Sequence, residues 1–474
     1  MIPVREFAGQ YVAVFGLGRT GLATVRALQA GGAKVHAWDD NEAARQRATE
    51  QGFDLVDINK RDWQQYSALI LSPGIPFRYP EPHRVVKLAR MVGVEIIGDM
   101  ELFARAVNAL PEHARPKIVG VTGTNGKSTT TSLIGHILRK AGKDARVGGN
   151  IGVGVLDMAP LHASAIYVLE LSSYQLDLIE SLKCDVSVLL NITPDHLERH
   201  GGMQGYVEAK SRIFDNQTDS DVAIIGMDTM PTQIMLARMA AKKRQLCVGV
   251  SSEYALGRGI SVVEGVLFDS QNGRATEVGD LSEIKTLPGQ HNYQNAAAAY
   301  AACRALGVDA TVIMDAMASF PGLAHRQEVV GKVGKVNFVN DSKATNGQAA
   351  VQALRSYPRV FWIGGGVPKS EGLADVRPYF GHIEKAYLIG EAQAQFSREL
   401  GDAVPHLKCG TLRRAVAEAL QDARDCDDED PIVLLSPACA SFDQFKDFED
   451  RGDAFKHLVS GLMSESEKLQ ATIS

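Results

Sequence analysis

The apolar run Ile118-Val119-Gly120-Val121 passes through Thr122 into Gly123-Thr124-Asn125-Gly126-Lys127-Ser128-Thr129 and then into an amphipathic segment. A buried strand that delivers a glycine loop to the start of a helix is the repeating unit of α/β sheets. The same succession makes a phosphate cradle. Glycines let backbone N–H groups converge on phosphate oxygens, the helix N-terminus adds partial positive charge, and the lysine supplies a full one. Ser128 or Thr129 can then hold a Mg²⁺ ion. Leu133, Ile134, Ile137 and Leu138 keep one apolar face until Gly142, which is expected to stop the helix. The standard phosphate loop has a glycine where Val121 stands, so only the shorter pattern G-x-x-G-K-S-T is met. The competing reading is a plain strand-to-helix turn with an exposed lysine. The flanking segments favour nucleotide binding.

A chain of 474 residues exceeds one ordinary core and suggests roughly three domains. With 45% hydrophobic and 22% charged residues it has a globular composition, and a net charge of -6 argues against a nucleic-acid partner held by phosphate contacts. Lys242-Lys243-Arg244 is short and reads as a solvated helix end. The six cysteines form no C-x-x-C pair, which suits reduced thiols better than a disulfide frame or zinc site. Neither a leader-like start nor an apolar run of membrane-spanning length occurs, so a cytoplasmic protein without membrane insertion is expected.

Apolar runs alternate with helical patterns throughout. Tyr11 to Phe15, Lys34 to Trp38, Leu69 to Leu71 and Glu95 to Ile97 are expected as a first set of strands, closed by the polar stretch Pro111 to Pro116. A second set starts at Lys117 and includes Ile166 to Leu169, Val186 to Leu190 and Val222 to Ile225. Short alternating pieces between about 250 and 288 suggest a small side sheet, and an alanine-rich helix follows from Asn292 to Leu306. After Phe320-Pro321-Gly322, the runs Val336 to Val339, Val360 to Ile363, Ala386 to Ile389 and Ile432 to Leu435 supply a third sheet. The expected domains are 1–110, 111–321 and 322–474.

A second glycine motif complicates the reading. Gly16-Leu17-Gly18-Arg19-Thr20-Gly21 follows a strand, precedes a helix, and has Asp39 and Asp40 at the end of the next strand. That is a full dinucleotide fingerprint, and a nicotinamide oxidoreductase is one reading of it. The physics specifies only a diphosphate at a helix N-terminus with a sugar nearby, which a UDP-sugar satisfies equally. A structural glycine turn is the third reading.

The ordered motifs resemble one family, the ATP-dependent Mur ligases of peptidoglycan synthesis, over essentially the whole chain. The carriers are Ser72-Pro73-Gly74-Ile75, Gly98 to Phe103, the loop at 123–129, Gly149-Asn150-Ile151-Gly152, Glu170 to Leu176 and Asn191 to His196. Further along come Glu208-Ala209-Lys210, Gly289 to Tyr293 with Asn295, His325-Arg326, Asn340 to Asn346 and Leu435 to Ser441. Asp341 to Asn346 and Ser436 to Phe445 are similar to the D-glutamate-adding branch, and the Asp-Asn-Pro-Arg motif of diaminopimelate-adding relatives is absent. One departure is Val367, where the family often has aspartate; Lys369 is retained.

The resemblance implies three α/β domains: an N-terminal Rossmann-like domain for the UDP substrate, a central P-loop ATPase-like domain, and a C-terminal Rossmann-like domain for the amino acid. It implies ATP, UDP-N-acetylmuramoyl-L-alanine and D-glutamate as small-molecule substrates, two Mg²⁺ ions, and a monomer. Lys127, His196 and Lys210 are the implied catalytic residues. ATP falls to Gly123, Thr124, Asn125, Gly126, Lys127, Ser128, Thr129, Asn292, Asn295, Arg326 and Asp341. The UDP substrate falls to Gly18, Arg19, Thr20, Asp39, Ser72, Pro73, Gly74 and Asn150, and D-glutamate to Thr345, Lys369, Ser441 and Phe448. Ser128, Glu170, His196 and Lys210, the last as a CO₂-derived carbamate, are the implied metal ligands. A carbamate requires a neutral amine. Folate polyglutamylation is the nearest rival within the family, and a silent scaffold on the same fold is the third possibility.

Overall fold

The computed structural model describes residues 1–368 and 372–473. The chain divides into two compact units, Met1–Ile284 with Gln290–Phe320, and Lys285–Gly289 with Pro321–Ser474.

The first unit holds two sheets. One has four parallel strands, β1 (Tyr11–Phe15), β2 (Lys34–Trp38), β3 (Tyr66–Leu71) and β4 (Glu95–Ile97), in the order β2-β1-β3-β4. β1 sits at the point where the order reverses, and its C-terminal end opens into the Gly16–Gly21 loop, where ligands of open α/β sheets bind. Helix Arg19–Ala30 follows. Only glycine fits at 21, since a Cβ there would lie 1.8 Å from the Gly16 carbonyl oxygen.

The other sheet has nine strands: β5 (Lys117–Thr122), β6 (Asp144–Gly149), β7 (Ala165–Glu170), β8 (Val186–Leu189), β9 (Val222–Gly226), β10 (Leu246–Ser251), β11 (Ile260–Val263), β12 (Val266–Asp269) and β13 (Thr276–Asp280). The order is β13-β12-β11-β10-β9-β8-β5-β7-β6. From β6 to β11 all pairings are parallel; β12 and β13 add antiparallel edges. The short pieces expected as a side sheet therefore continue the edge of the main sheet, because β11 pairs with β10 through Val250 and Ser251. Strands β6 and β10 were absent from the sequence reading. In Asp144-Ala145-Arg146-Val147-Gly148-Gly149 the polar–apolar alternation lasts four residues before two glycines end it, and β10 follows one residue after the exposed Lys242-Lys243-Arg244.

Helix Lys127–Lys140 buries Leu133, Ile134, Ile137 and Leu138 completely, as its period requires. Beside it runs Gln290–Ala305, whose buried Ala296 to Ala299 allow close approach of the two backbones. This helix begins at Gln290, so Asn292 lies inside its first turn and is not the expected helix start.

The second unit carries β14 (Glu328–Val333), β15 (Val336–Asn340), β16 (Val360–Gly365), β17 (Ile383–Ile389), β18 (His406–Gly410) and β19 (Ile432–Leu435) in the order β14-β15-β19-β16-β17-β18. Only β14 runs antiparallel. β19 separates β15 from β16, and the loops leaving these three strands lie side by side at one sheet edge. The helix Phe448–Ile473 closes the chain. All six cysteines are free thiols. Among the described residues no helix is long and apolar enough to cross a membrane.

Candidate active site

The glycine loop leaves β5 at Thr122 and reaches the helix at Lys127. Gly126 has φ +82, and a Cβ there would sit 2.1 Å from Asn295 Oδ1. That oxygen also accepts from Thr130 Oγ1 at 3.2 Å, while Asn295 Nδ2 donates to Asn292 Oδ1 at 3.1 Å. Asn292 and Asn295, both buried, therefore buttress the loop from behind. On its other flank the Asn125 N–H donates to Asn191 Oδ1 at 2.9 Å, and Thr124 Oγ1 meets Tyr206 Oη at 3.1 Å. Lys127 Nζ folds back onto the carbonyls of Gly123 and Thr124 at 2.9 and 2.7 Å. Ser128 is buried at the start of the helix, and Thr129 is half-buried.

Glu170 ends β7, opposite Val121 of β5. Its Oε1 accepts from Asn150 Nδ2 at 2.7 Å, and its backbone carbonyl accepts from the Asn150 N–H at 2.9 Å. Oε2 is buried without a hydrogen-bond partner. A buried carboxylate oxygen left bare is costly unless something positive meets it, so the site fits a hard cation. Among the described residues no group of three or more His, Cys, Asp or Glu side chains could hold a metal by itself. Any such ion would need ligands of other kinds, among which the Ser128 hydroxyl and phosphate oxygens are chemically suited. Asn150, assigned from the sequence to the UDP substrate, is thus placed on Glu170.

Helix Met203–Ser211 brings Lys210 to the loop from the opposite side. Its Nζ donates to the Gly123 carbonyl at 2.8 Å and lies 4.7 Å from the Tyr206 ring centroid. Burial, and then the charge of Lys127, pushes the amine well below the ordinary lysine range, with Asp195 and Glu170 pulling the other way. His196 stands at φ 52 just before a short helix, 3.4 Å from Asp195. Burial lowers its imidazole as well, against Asp195 and Glu198. The electrostatic neighbourhood of Lys210 thus joins Lys127, Asp195 and Glu170, and that of His196 joins Lys127 and Asp195.

Sequence reasoning missed several supports. His200 is buried, with Nε2 2.9 Å from Ser173 Oγ, Nδ1 3.3 Å from Asp177, and its ring stacked on Tyr174. It anchors the short helix that begins beside His196. Arg199 donates to the carbonyls of Gly74 and Ile75 at 2.8 and 3.0 Å, tying the Ser72-Pro73-Gly74 segment to the same helix. Tyr206 could have been found from its spacing of four residues from Lys210 on one helix.

At the first sheet, Ser72 Oγ donates to the Gly16 carbonyl at 2.9 Å. Asp39 accepts from the N–H groups of Leu17 and Asn41 at 2.7 and 2.8 Å, so both its oxygens already hold the glycine loop and the turn after β2. Gly18 and Arg19 are exposed and Thr20 is half-buried. Asp99 lies near Thr20, Ser72 and Pro73 around a small cavity, and burial pushes its carboxyl up to about 6.

In the second unit, Asp341 is buried, with Oδ2 accepting from Ser436 Oγ at 2.7 Å and Oδ1 from the Gln327 N–H at 3.2 Å. Burial pushes its carboxyl up to about 7. Arg326, Thr345 and Phe448 are half-buried and Ser441 is buried. The Lys343 ammonium lies 3.7 Å from the Phe448 ring centroid. Val367 bridges Ala440 through its backbone N–H at 2.8 Å, a bond indifferent to the side chain that replaces the usual aspartate. Burial raises the Cys439 thiol to about 12, as expected of a packing residue. Lys369 lies outside the described residues.

Residues 10–98 match the model of the Mur ligase MurD-like N-terminal domain, and residues 121–303 that of the Mur ligase middle domain. The chain is 57% identical over 462 residues to the UDP-N-acetylmuramoylalanine–D-glutamate ligase of Caulobacter vibrioides, covering 98% of both chains. It belongs to the Mur ligase family. Other Mur ligase relatives carrying the same D-glutamate ligase name are those of Phenylobacterium zucineum, 56% identical over 98% of each chain, and Rhizobium etli, 50% identical over 98% of this chain and 97% of that one. Among solved structures the Mur ligase fold recurs in the UDP-N-acetylmuramate-alanine ligase of Thermotoga maritima. That protein has a TM-score of 0.58 at 16% identity and covers 95% of this chain and 99% of its own.

Proposed function

We propose that this Mur ligase joins D-glutamate to UDP-N-acetylmuramoyl-L-alanine, with ATP activating the carboxylate as an acyl phosphate and ADP and phosphate leaving. The observation that carries the reading is the pairing of two lysines with one bare carboxylate oxygen around the glycine loop. A carboxylate and a triphosphate repel one another: two unit charges about 4 Å apart cost roughly 4 kcal/mol at an effective dielectric near 20, about three decades in rate. The chain answers with cations. Lys127 turns from the Gly123 and Thr124 carbonyls to the phosphates, while the loop N–H groups hold their oxygens.

Ser128 and Glu170 would hold one Mg²⁺, and His196 with Lys210 as its carbamate would serve a second. When bound, magnesium neutralises developing phosphate charge and organises in-line transfer. Asn150 fixes the rotamer of Glu170 so that Oε2 faces away from it. Lys210 combines with CO₂ as the free amine, losing a proton as the N–C bond forms, and its burial favours that form. The sequence resemblance supports nucleotide roles for Arg326 and Asp341 and D-glutamate roles for Thr345, Lys369, Ser441 and Phe448. The UDP substrate lies against Gly18, Arg19, Thr20, Ser72, Pro73 and Gly74. The work divides among domains 1–110, 111–321 and 322–474, in a cytoplasmic monomer.

The test is product analysis by mass spectrometry with a panel of amino acids. ADP release should require both the UDP substrate and D-glutamate, and the product should gain one glutamyl residue. ATP hydrolysis with neither present would point to a free-standing NTPase. NAD(H) binding that survives Lys127→Ala and is lost on substitution of Gly18 would restore the oxidoreductase reading.

A further inference from the structure

Arg451 is completely buried in the first turns of the closing helix. Its Nε donates to Ser342 Oγ at 2.9 Å, its Nη2 to the carbonyls of Ser342 and Cys439 at 2.8 and 3.1 Å, and its Nη1 to the Gly365 carbonyl at 3.5 Å. Those acceptors belong to the ends of three neighbouring parallel strands. Ser342 follows β15, Gly365 closes β16 and Cys439 follows β19. Ser342 Oγ passes the tie onward, donating to the Phe448 carbonyl at 2.9 Å. One guanidinium thus fixes the spacing of every loop that carries Thr345, Ser441 and Phe448.

Its charge is equally unusual. All its acceptors are neutral oxygens, and among the described residues no carboxylate forms an ion pair with it. A buried cation without a counter-ion is expensive, and a fold that only needed to stitch loops together could use neutral donors. The acids within electrostatic reach are Asp341 and Asp443. The first has both oxygens engaged elsewhere and a carboxyl raised to about 7; the second accepts from the Glu391 N–H. An anion arriving at these loops would supply the missing negative charge.

We propose that Arg451 is the positioning residue of the amino-acid site: it aligns the three loops and places an uncompensated positive charge beneath them, so that the site selects a dicarboxylate over a monoanionic amino acid. This rests on the reading that Thr345, Ser441 and Phe448 receive D-glutamate. It adds a specificity determinant that touches no substrate.

The experiment compares Arg451→Lys, Arg451→Met, Ser342→Ala and Ser441→Ala in the full chain. It measures melting temperature, kcat, and KM for D-glutamate and for ATP, and uses D-glutamine as the neutral-side-chain competitor. Arg451→Met should raise KM for D-glutamate by about tenfold or more, leave KM for ATP within about twofold, and erode the preference for D-glutamate over D-glutamine. Arg451→Lys should keep most of that preference, since charge survives while the planar fork is lost. An unchanged preference in Arg451→Met, or equal shifts in both KM values, overturns the proposal. Should Arg451→Met not fold, Ser342→Ala, which cuts the tie to Phe448 and spares the charge, must still raise KM for D-glutamate selectively; no rise overturns it. Ser441→Ala separates the two readings. If it leaves KM for D-glutamate unmoved, the site assignment fails; if it raises KM while the Arg451 variants do not, only the role of Arg451 fails.

Discussion

Lys127 and Lys210 donate to the same oxygen, the carbonyl of Gly123, at 2.9 and 2.8 Å. One lysine comes from the helix behind the loop and the other from the helix facing it, so the two amines share one acceptor, a bond to each of its lone pairs. Fully charged, they would repel at short range, and Lys210 is buried where water screens weakly. Lys210, the more deeply buried, yields.

The consequence is a pH dependence of known sign. Lys210 is ordinary in the unfolded chain, near 10.5, and lowered in the folded one. Between those limits the unfolded state binds the extra proton, so stability rises with pH through the window that ends near 10.5. Lys210→Met removes the buried amine at similar volume. It should flatten that rise in denaturant melts taken at a series of pH values, and should cost about a hundredfold or more in turnover. Parallel melting curves for the two proteins would refute the assignment. If the free amine takes up CO₂, ¹³C-bicarbonate should give a carbamate resonance that is missing from the variant.

Asn150 and Glu170 form the second lever. Asn150→Ala strips the donor from Oε1 and leaves both carboxylate oxygens bare, a change worth about 1–3 kcal/mol. Magnesium-dependent ATP affinity, measured by titration calorimetry, should fall five- to a hundredfold or so by that range, with magnesium-free affinity little altered. Glu170→Gln should abolish the magnesium dependence itself. Equal ATP affinity with and without magnesium in the unaltered protein would remove the metal from Glu170.

The glycine loop, the strands flanking it and the apolar face of Lys127–Lys140 were legible because each is local: a period of two, a period of 3.6, and glycines at a turn. β10 and β6 were not, since Gly249 interrupts the short apolar run of the one, Gly148-Gly149 cut short the alternation of the other, and their identity comes from pairing with β9 and β7. The candidate site divides the same way. Lys127, Ser128 and Glu170 stand at strand ends or helix starts that sequence marks. Lys210 looks like any helix lysine until the fold places Gly123 and Tyr206 against it. The buttressing roles of Asn295 and Arg451 depend on contacts across 165 and 109 residues of chain, which no local pattern encodes.

Gly126→Ala tests the buttress. A methyl group there meets Asn295 Oδ1 at 2.1 Å on a backbone with φ +82, so clash and strain both oppose it. ATP affinity should drop about tenfold or more, with a stability loss of about 1–3 kcal/mol. Adding Asn295→Ala should return part of the stability, because it clears the clash but leaves the backbone strain. Additive losses in the double variant would show that the two residues do not meet as described.

Asp341 gives a pH effect of opposite direction to that of Lys210. Its carboxyl is raised from 3.8 to about 7, chiefly by burial. As pH climbs between those values the unfolded chain releases the proton while the folded protein keeps it, so this group makes the protein progressively less stable, by up to about 4 kcal/mol above pH 7. Asparagine carries no such penalty. Its oxygen can accept from the Gln327 N–H, and the Ser436 hydroxyl can rotate to accept from its amide. Asp341→Asn should therefore be more stable than the unaltered chain at pH 8 and close to it at pH 4, as read from urea midpoints. The same substitution should weaken ATP binding if Asp341 reaches the nucleotide. Stability and affinity would then move in opposite directions, the pattern of a residue kept for its chemistry at the expense of the fold.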